Sequence, residues 1–333
     1  MRTRLALACA ASALLALGGV SKAGAAPSEA SVADHVAAAT RAAGNDMPAL
    51  LALCKAPPAA KPPQADIEKG LASLMALPAP PPGKAFDNLY FVGAKWVSAW
   101  ALTTSDGIIL IDALNNEAEA STLIDGGLRK IGLDPARIKI VIVTHGHGDH
   151  YGGARYLVDK YHPKVVMSDI DWGMLESGKF DFDMPAWGRP PQRDISAKDG
   201  DKITLGDTTV TLTLTPGHTW GTLSPVFDVK EGGRTHRVLL WGGTAFNFGK
   251  DIPRLDAYVA STERTAALAK QQGIDVLISN HSDYDAAIAK LDKLRADPAL
   301  QPNPFVIGQD AVQRALTVMD DCAQAARDRF QLP

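Results

Sequence analysis

Residues 144–150 read Thr-His-Gly-His-Gly-Asp-His and follow directly on the apolar run Lys139–Val143. The apolar run predicts a strand buried on both faces. Side chains alternate along an extended segment, so His145 and His147 project to the same side. Two neutral imidazoles so placed can grip one metal ion. Asp149 and His150 add an oxygen and a further nitrogen, more donors than one open catalytic zinc takes, and the spacing therefore invites two metals. Gly146 and Gly148 allow tight turns close to the ions. The His pair at i and i+4 of a helical zinc protease is absent. The competing reading is a flexible polar loop with incidental metal affinity.

Two further histidines end apolar strands. His218 stands in Thr215-Pro-Gly-His-Thr after the run TVTLTL, and His281 in Asn280-His-Ser after DVLIS. A loop residue at a strand end is positioned by a rigid scaffold, as functional groups often are. Five of the eight histidines (145, 147, 150, 218, 281) thus sit just beyond strands. His35, His162 and His236 do not, and read as solvated or locally bonded.

With 333 residues, 46% hydrophobic and 21% charged, the chain can build one large or two small domains and is not disordered in the main. A net charge of -3 argues against a nucleic-acid binder. Arg2 and Arg4, the apolar stretch Leu5 to Leu17 and Ala23-Gly24-Ala25 form the pattern of a secretory signal. The alternatives are a short membrane anchor and, more weakly, a lipoprotein through Cys9. The mature chain is expected from Ala26 or Pro27, in a periplasm or beyond, without membrane attachment. Cys54 and Cys322 then remain, and an even pair in an oxidising compartment can form a disulfide; two free thiols are the alternative.

Residues 27–83 are expected as an N-terminal arm, helical over 28–55 and proline-rich and extended over 56–83, wrapping a domain surface, with a disordered tether as the alternative. Strands are expected at Leu89–Val92, Lys95–Thr103, Gly107–Asp112, Lys139–Val143, Lys164–Met167, within Asp201–Leu214, and at Arg237–Trp241 and Ile274–Ile278. Helices are expected at Asn115–Ile131, Gly152–Tyr161 and Ser261–Gln272, with a C-terminal helical extension over 286–333. Such a mixture indicates an α/β layered sandwich.

THGHGDH followed by TPGHT and a late NH at a strand end, in that order over roughly residues 85–285, resembles the metallo-β-lactamase superfamily. The resemblance implies a four-layered αββα sandwich over 84–285 and two zinc ions. It implies His145, His147 and His218 at the first, Asp149, His150 and His281 at the second, and Asp112 orienting the metal loop. Gly243 and Thr244 stand where many hydrolytic relatives carry a bridging Asp. This pattern is similar to the third subclass of class B β-lactamases. Trp220 replaces the Pro of the usual GHTPG, and Phe246 replaces a small hydroxyl residue near the substrate carboxylate, while Thr244 could serve as another.

The implied chemistry is hydrolysis. A zinc-held hydroxide attacks a carbonyl carbon, Asp149 orients it, and no Ser or Cys nucleophile is required. The expected substrate is a small molecule, a β-lactam or similar cyclic amide first and a lactone or thioester second. Trp96, Trp100, Tyr151, Trp220 and Phe246 are candidate apolar walls, with Trp220, Thr244 and Phe246 expected at the substrate. A non-catalytic periplasmic metal-binding module is the alternative of another class. Nothing in the sequence identifies a protein partner.

Overall fold

Side chains point alternately to the two faces of a strand, and apolar residues on both faces of the central strands build the layers. The computed structural model of the chain describes residues 27–56, 60 and 62–332. The expected export segment, 1–26, lies outside the described residues.

One sheet holds seven strands in sequential order: β1 (Gly83–Phe86), β2 (Leu89–Phe91), β3 (Trp100–Thr103), β4 (Ile108–Ile111), β5 (Ile138–Ile142), β6 (Lys164–Ser168) and β7 (Ile195–Ala197). It is antiparallel through β4 and parallel from β4 to β7. The second sheet is ordered β12-β11-β10-β9-β8. These strands are β8 (Asp201–Leu205), β9 (Thr208–Leu214), β10 (Leu223–Glu231), β11 (Arg234–Trp241) and β12 (Val276–Ser279).

Trp100, Leu102, Ile109, Ile111, Ile142 and Val166 of the first sheet meet Val210, Leu212, Phe227, Val238, Leu240 and Ile278 of the second in one buried core. The intervening residues point the other way. Ala101, Leu110, Val141, Val165 and Met167 pack on Ile124, Leu128, Leu157 and Trp172 of the helical layer outside the first sheet. Leu239, Trp241 and Leu277 pack under helices Ile252–Gln272 and Gln309–Gln331 outside the second. The result is the four-layered αββα sandwich.

Both ends of the described chain join that last layer. Helix Glu29–Ala43 packs along Gln309–Gln331, and Cys54 is bonded to Cys322. The stretch expected to be an extended proline-rich arm contains helix Gln64–Met75. Prolines occupy only its flanks, where Pro63 caps it and no helical amide is needed.

Three local differences have physical causes. Only Trp100–Thr103 of the expected strand 95–103 forms, because the chain turns at Ala94–Val97, where Ala94 donates to the Val97 carbonyl at 2.9 Å. Strand β10 has no counterpart among the expected strands; Pro225 lies in it, and a proline lacks the ladder donor that marks a central strand. Helix Ile252–Gln272 starts nine residues earlier than expected, with Asp251 capping Arg254 N at 3.1 Å and Pro253 in the first turn. Among the described residues no helix is long and apolar enough to cross a membrane.

Candidate metal centre

The loops after β5, β9 and β12 leave the sheets at one edge of the sandwich and bring distant residues together. His145, His147 and His218 form one group of donors, and Asp149, His150 and His281 a second. Nε2 of His145 lies 3.1 Å from Nδ1 of His147 and 3.1 Å from Nε2 of His218, and the third side of the triangle is 3.2 Å. Asp149 Oδ2 is 3.4 Å from His150 Nε2 and 3.7 Å from His281 Nε2. The two groups adjoin, since the His145 and His150 ring centroids are 4.2 Å apart.

The tautomers follow from the outer partners. His145 Nδ1 donates to the Gly242 carbonyl at 2.7 Å, His218 Nδ1 to the Ala245 carbonyl at 2.7 Å and His281 Nδ1 to the Trp96 carbonyl at 3.1 Å. A carbonyl only accepts, so the proton is on that nitrogen. His150 Nδ1 faces the Asp112 carboxylate at 2.9 Å and His147 Nε2 faces Asp181 at 3.4 Å. Each converging nitrogen therefore presents a lone pair. Lone pairs at 3.1–3.2 Å repel unless a cation sits between them. Three nitrogens bound tetrahedrally at about 2.0–2.1 Å would lie about 3.3 Å apart, close to the triangle seen. His150 Nε2 is buried and has no hydrogen-bond partner of its own. The donor set fits two zinc ions.

Burial, reinforced by neighbouring imidazoles, pushes His145 and His218 well below the usual histidine range. Burial and His150 push His281 down to about 4. For His150 burial acts in the same direction, but the charges of Asp149 and Asp112 outweigh it and raise the group. Burial alone would raise Asp149, but His150 and His281 hold it below the carboxylate range. His145 and His218 are thus unprotonated at neutral pH, as ligands must be.

Asp112 sits at the end of β4 with φ 64°, a left-handed conformation that aims its carboxylate at the loop. It accepts from Thr144 N at 2.7 Å and Thr144 Oγ1 at 2.9 Å, besides facing His150. Gly242 must be glycine, since a Cβ there would lie 1.8 Å from the Leu223 carbonyl oxygen. That glycine supplies the carbonyl that orients His145.

Nothing in the residue pattern marks two further positioning groups. Asp171, buried in helix Asp169–Ser177, accepts from Gly146 N at 2.7 Å, Thr219 Oγ1 at 2.8 Å and Gly221 N at 3.0 Å. It thereby ties the HGHGDH loop to the loop carrying His218. The Asp171→Ala change strands two buried backbone donors, Gly146 N and Gly221 N, and is expected to lower zinc affinity about 10–100-fold. Competition with a chromophoric chelator measures this, and an unchanged affinity would remove Asp171 from the support of the site. Arg254 is the second group. It donates to the carbonyls of Gly217 and His218 and pairs with Asp181 at 3.1 Å. Burial works against ionisation of Asp181, but His147 and Arg254 together hold it well below the carboxylate range.

A groove of about 640 Å³ opens over the donors and is bounded by His147, Asp149, His218 and His281. Trp96, Phe182, Met184 and Trp187 line it, together with Ala49, Ala52 and helix Gln64–Met75. The residues expected at the substrate are placed elsewhere. Trp220 is 46% exposed and is not among the groove's lining residues. Phe246 is buried in the core, edge-on to Tyr258 at 4.8 Å. Thr244 is buried with Oγ1 3.3 Å from Ser279 Oγ and borders a separate cavity. Of the other candidate walls, Trp96 lines the groove, stacked on His281 at 5.5 Å, while Trp100 and Tyr151 lie in the core. The loop 93–99, of which 95–99 is expected as strand, brings Trp96 there. Outside the site, His35 and His236 are bonded locally to Asp321 and Asp275.

Comparison with known proteins agrees with this geometry. The family model described as the metallo-beta-lactamase superfamily matches residues 92–300. The subclass B3 metallo-beta-lactamase BJP-1 of Bradyrhizobium japonicum superposes with a TM-score of 0.62 at 30% identity, over 73% of this chain and 92% of that one. An uncharacterized protein of Mycobacterium leprae, ML0493, is 32% identical over 46% of this chain and 72% of its own length. A hydroxyacylglutathione hydrolase of Synechocystis is 30% identical over 41% of this chain, which spans about half (46%) of that relative. With the fold, the donor set and the family model in agreement over most of its length, the chain belongs to the metallo-β-lactamase superfamily of hydrolases.

Proposed function

We propose that the protein is a two-zinc hydrolase that opens a cyclic amide such as a β-lactam. The carrying observation is the pair of adjoining three-donor groups, five imidazoles and one carboxylate, bordering an open groove. Likeness to a subclass B3 metallo-beta-lactamase supports the same reading. So does Gly243: a Cβ there would lie 2.6 Å from that of His218, which leaves no room for a bridging carboxylate. Zinc ions held by these residues supply an activated water and a Lewis acid.

The chain's own residues do the rest. Asp149, kept ionised by its histidine neighbours, turns an acceptor oxygen toward the groove and orients the attacking water. Asp112 holds His150, and the Gly242 and Ala245 carbonyls hold His145 and His218, so the donors are set before substrate arrives. The groove distinguishes this reading from a sealed, non-catalytic metal module. An oxidising, exported setting belongs to the same proposal and is supported by the Cys54–Cys322 bond.

A lactone or thioester is the second reading, favoured by one observation: Thr244 and Phe246 lie outside the groove, so neither recognises a substrate carboxylate there. The test is a panel. The purified mature chain is analysed for zinc and assayed on a chromogenic cephalosporin, a lactone and a thioester. Turnover that disappears with chelation and returns with zinc is expected. Turnover that survives metal removal, or none from zinc-loaded protein, overturns the proposal.

A further inference from the structure

Helix Gln64–Met75 turns Ile67, Gly70, Leu71 and Leu74 toward the groove. These positions follow i, i+3, i+4, i+7, one face of a helix. Glycine in a helix interior is unfavourable compared with alanine. Yet a Cβ at Gly70 would meet nothing within 4 Å, and its backbone is helical. Packing does not require this glycine. What it does is keep space free between the helix and the metal ligands. Leu74, at the same face, is 38% exposed, a large apolar side chain left without cover.

Charge points the same way. Among the described residues lining the groove none is Lys or Arg, and Asp149 and Asp283 are acidic. Arg254 is committed to Asp181 and to two carbonyls. Away from the metals the described lining offers an anionic substituent no cationic side chain.

We infer that the stripe Ile67–Gly70–Leu71–Leu74 is a subsite for an uncharged, apolar arm of the substrate, with Gly70 holding the slot open. The inference rests on the hydrolase reading of the metal centre and names its substrate class: an acyl compound whose arm beside the scissile bond is neutral and hydrocarbon-like. A buried methylene contributes enough to raise kcat/KM up to about fourfold.

The test pairs kinetics with binding. Zinc-loaded protein is assayed on neutral lactones with alkyl arms of two, six and ten carbons, each beside the same arm ending in a carboxylate. Binding of acetamide and decanamide is followed by tryptophan fluorescence, which needs no turnover. The neutral ten-carbon arm is expected to exceed the two-carbon arm in kcat/KM by at least tenfold and its carboxylate form by a similar factor, and decanamide to bind more tightly than acetamide. Gly70→Leu fills open space and should fold with unchanged zinc content, while the long-to-short ratio falls about tenfold. A flat length series, a preference for the carboxylate arm, or an unchanged ratio in Gly70→Leu overturns the subsite. Tight decanamide binding that Gly70→Leu abolishes, with no hydrolysis of any lactone or panel substrate, supports the subsite and overturns only the hydrolase reading. Equal binding of the two amides overturns the subsite whatever the turnover.

Discussion

His145→Ala is expected to bring bound zinc from two ions per chain to one or fewer and to lower kcat/KM by roughly three orders of magnitude or more. The reason is local. His145 Nε2 is one corner of the 3.1–3.2 Å triangle with His147 and His218, and its ring lies against His150 of the second group. Its loss leaves the first ion two nitrogens and removes the wall between the two groups. Without zinc the same change deletes one of three lone pairs that repel each other, so the metal-free chain should not suffer in proportion. Elemental analysis gives the stoichiometry. Melting curves with and without zinc give the coupling, because a ligand that binds only the folded state raises its stability. Wild type should melt at higher temperature with zinc, and His145→Ala should show a smaller zinc-dependent shift. Equal zinc content and equal zinc-dependent shifts in the two proteins would rule out the proposed first site.

Loss of the Cys54–Cys322 bond is expected to lower the unfolding free energy by about 2–5 kcal/mol. The bond joins residues 268 apart in sequence, so it restricts the unfolded chain over most of its length. In the folded state it fastens the turn Ala52–Cys54 to helix Gln309–Gln331, where Arg329 also donates to the Cys54 carbonyl at 2.8 Å. Ala49 and Ala52 are part of the groove wall, so the same bond holds the roof over the metal centre. Urea unfolding of wild type with and without reductant measures the effect, and Cys54→Ser/Cys322→Ser serves as the control. Reductant should shift wild type to lower urea and leave the double variant where it is. Coincident wild-type curves would show that the bond carries no stability.

Much of this was legible in the order of residues. A strand is expected over Lys95–Thr103, and in the part that forms, the structure divides Trp100 and Leu102 from Ala101, the first two in the inter-sheet core and the third against the helical layer. Histidines just past apolar strands marked the metal loops, since a loop at a strand end leaves few directions for its side chains. The roof was not legible. Prolines on both sides of residues 64–75 suggested an extended arm, yet proline opposes a helix only in its interior, and this segment has none there. Trp220, Thr244 and Phe246 are expected at the substrate from the resemblance, by their places in the GHTPG motif and at the small hydroxyl residues near a substrate carboxylate. One residue of difference in a turn decides whether a side chain faces groove, solvent or core.

The amino-acid sequence by itself determined the strand faces, the family and which side chains are chemically able to bind metal, because periodicity and ligand chemistry are local properties. Only the tertiary structure decided which nitrogen of each histidine is free, that Asp171 and Arg254 brace the loops, and that Gly70 lines the groove. Each of those depends on a backbone carbonyl, carboxylate or empty space contributed by a segment far away in the chain, and distance along the chain carries no information about such neighbours.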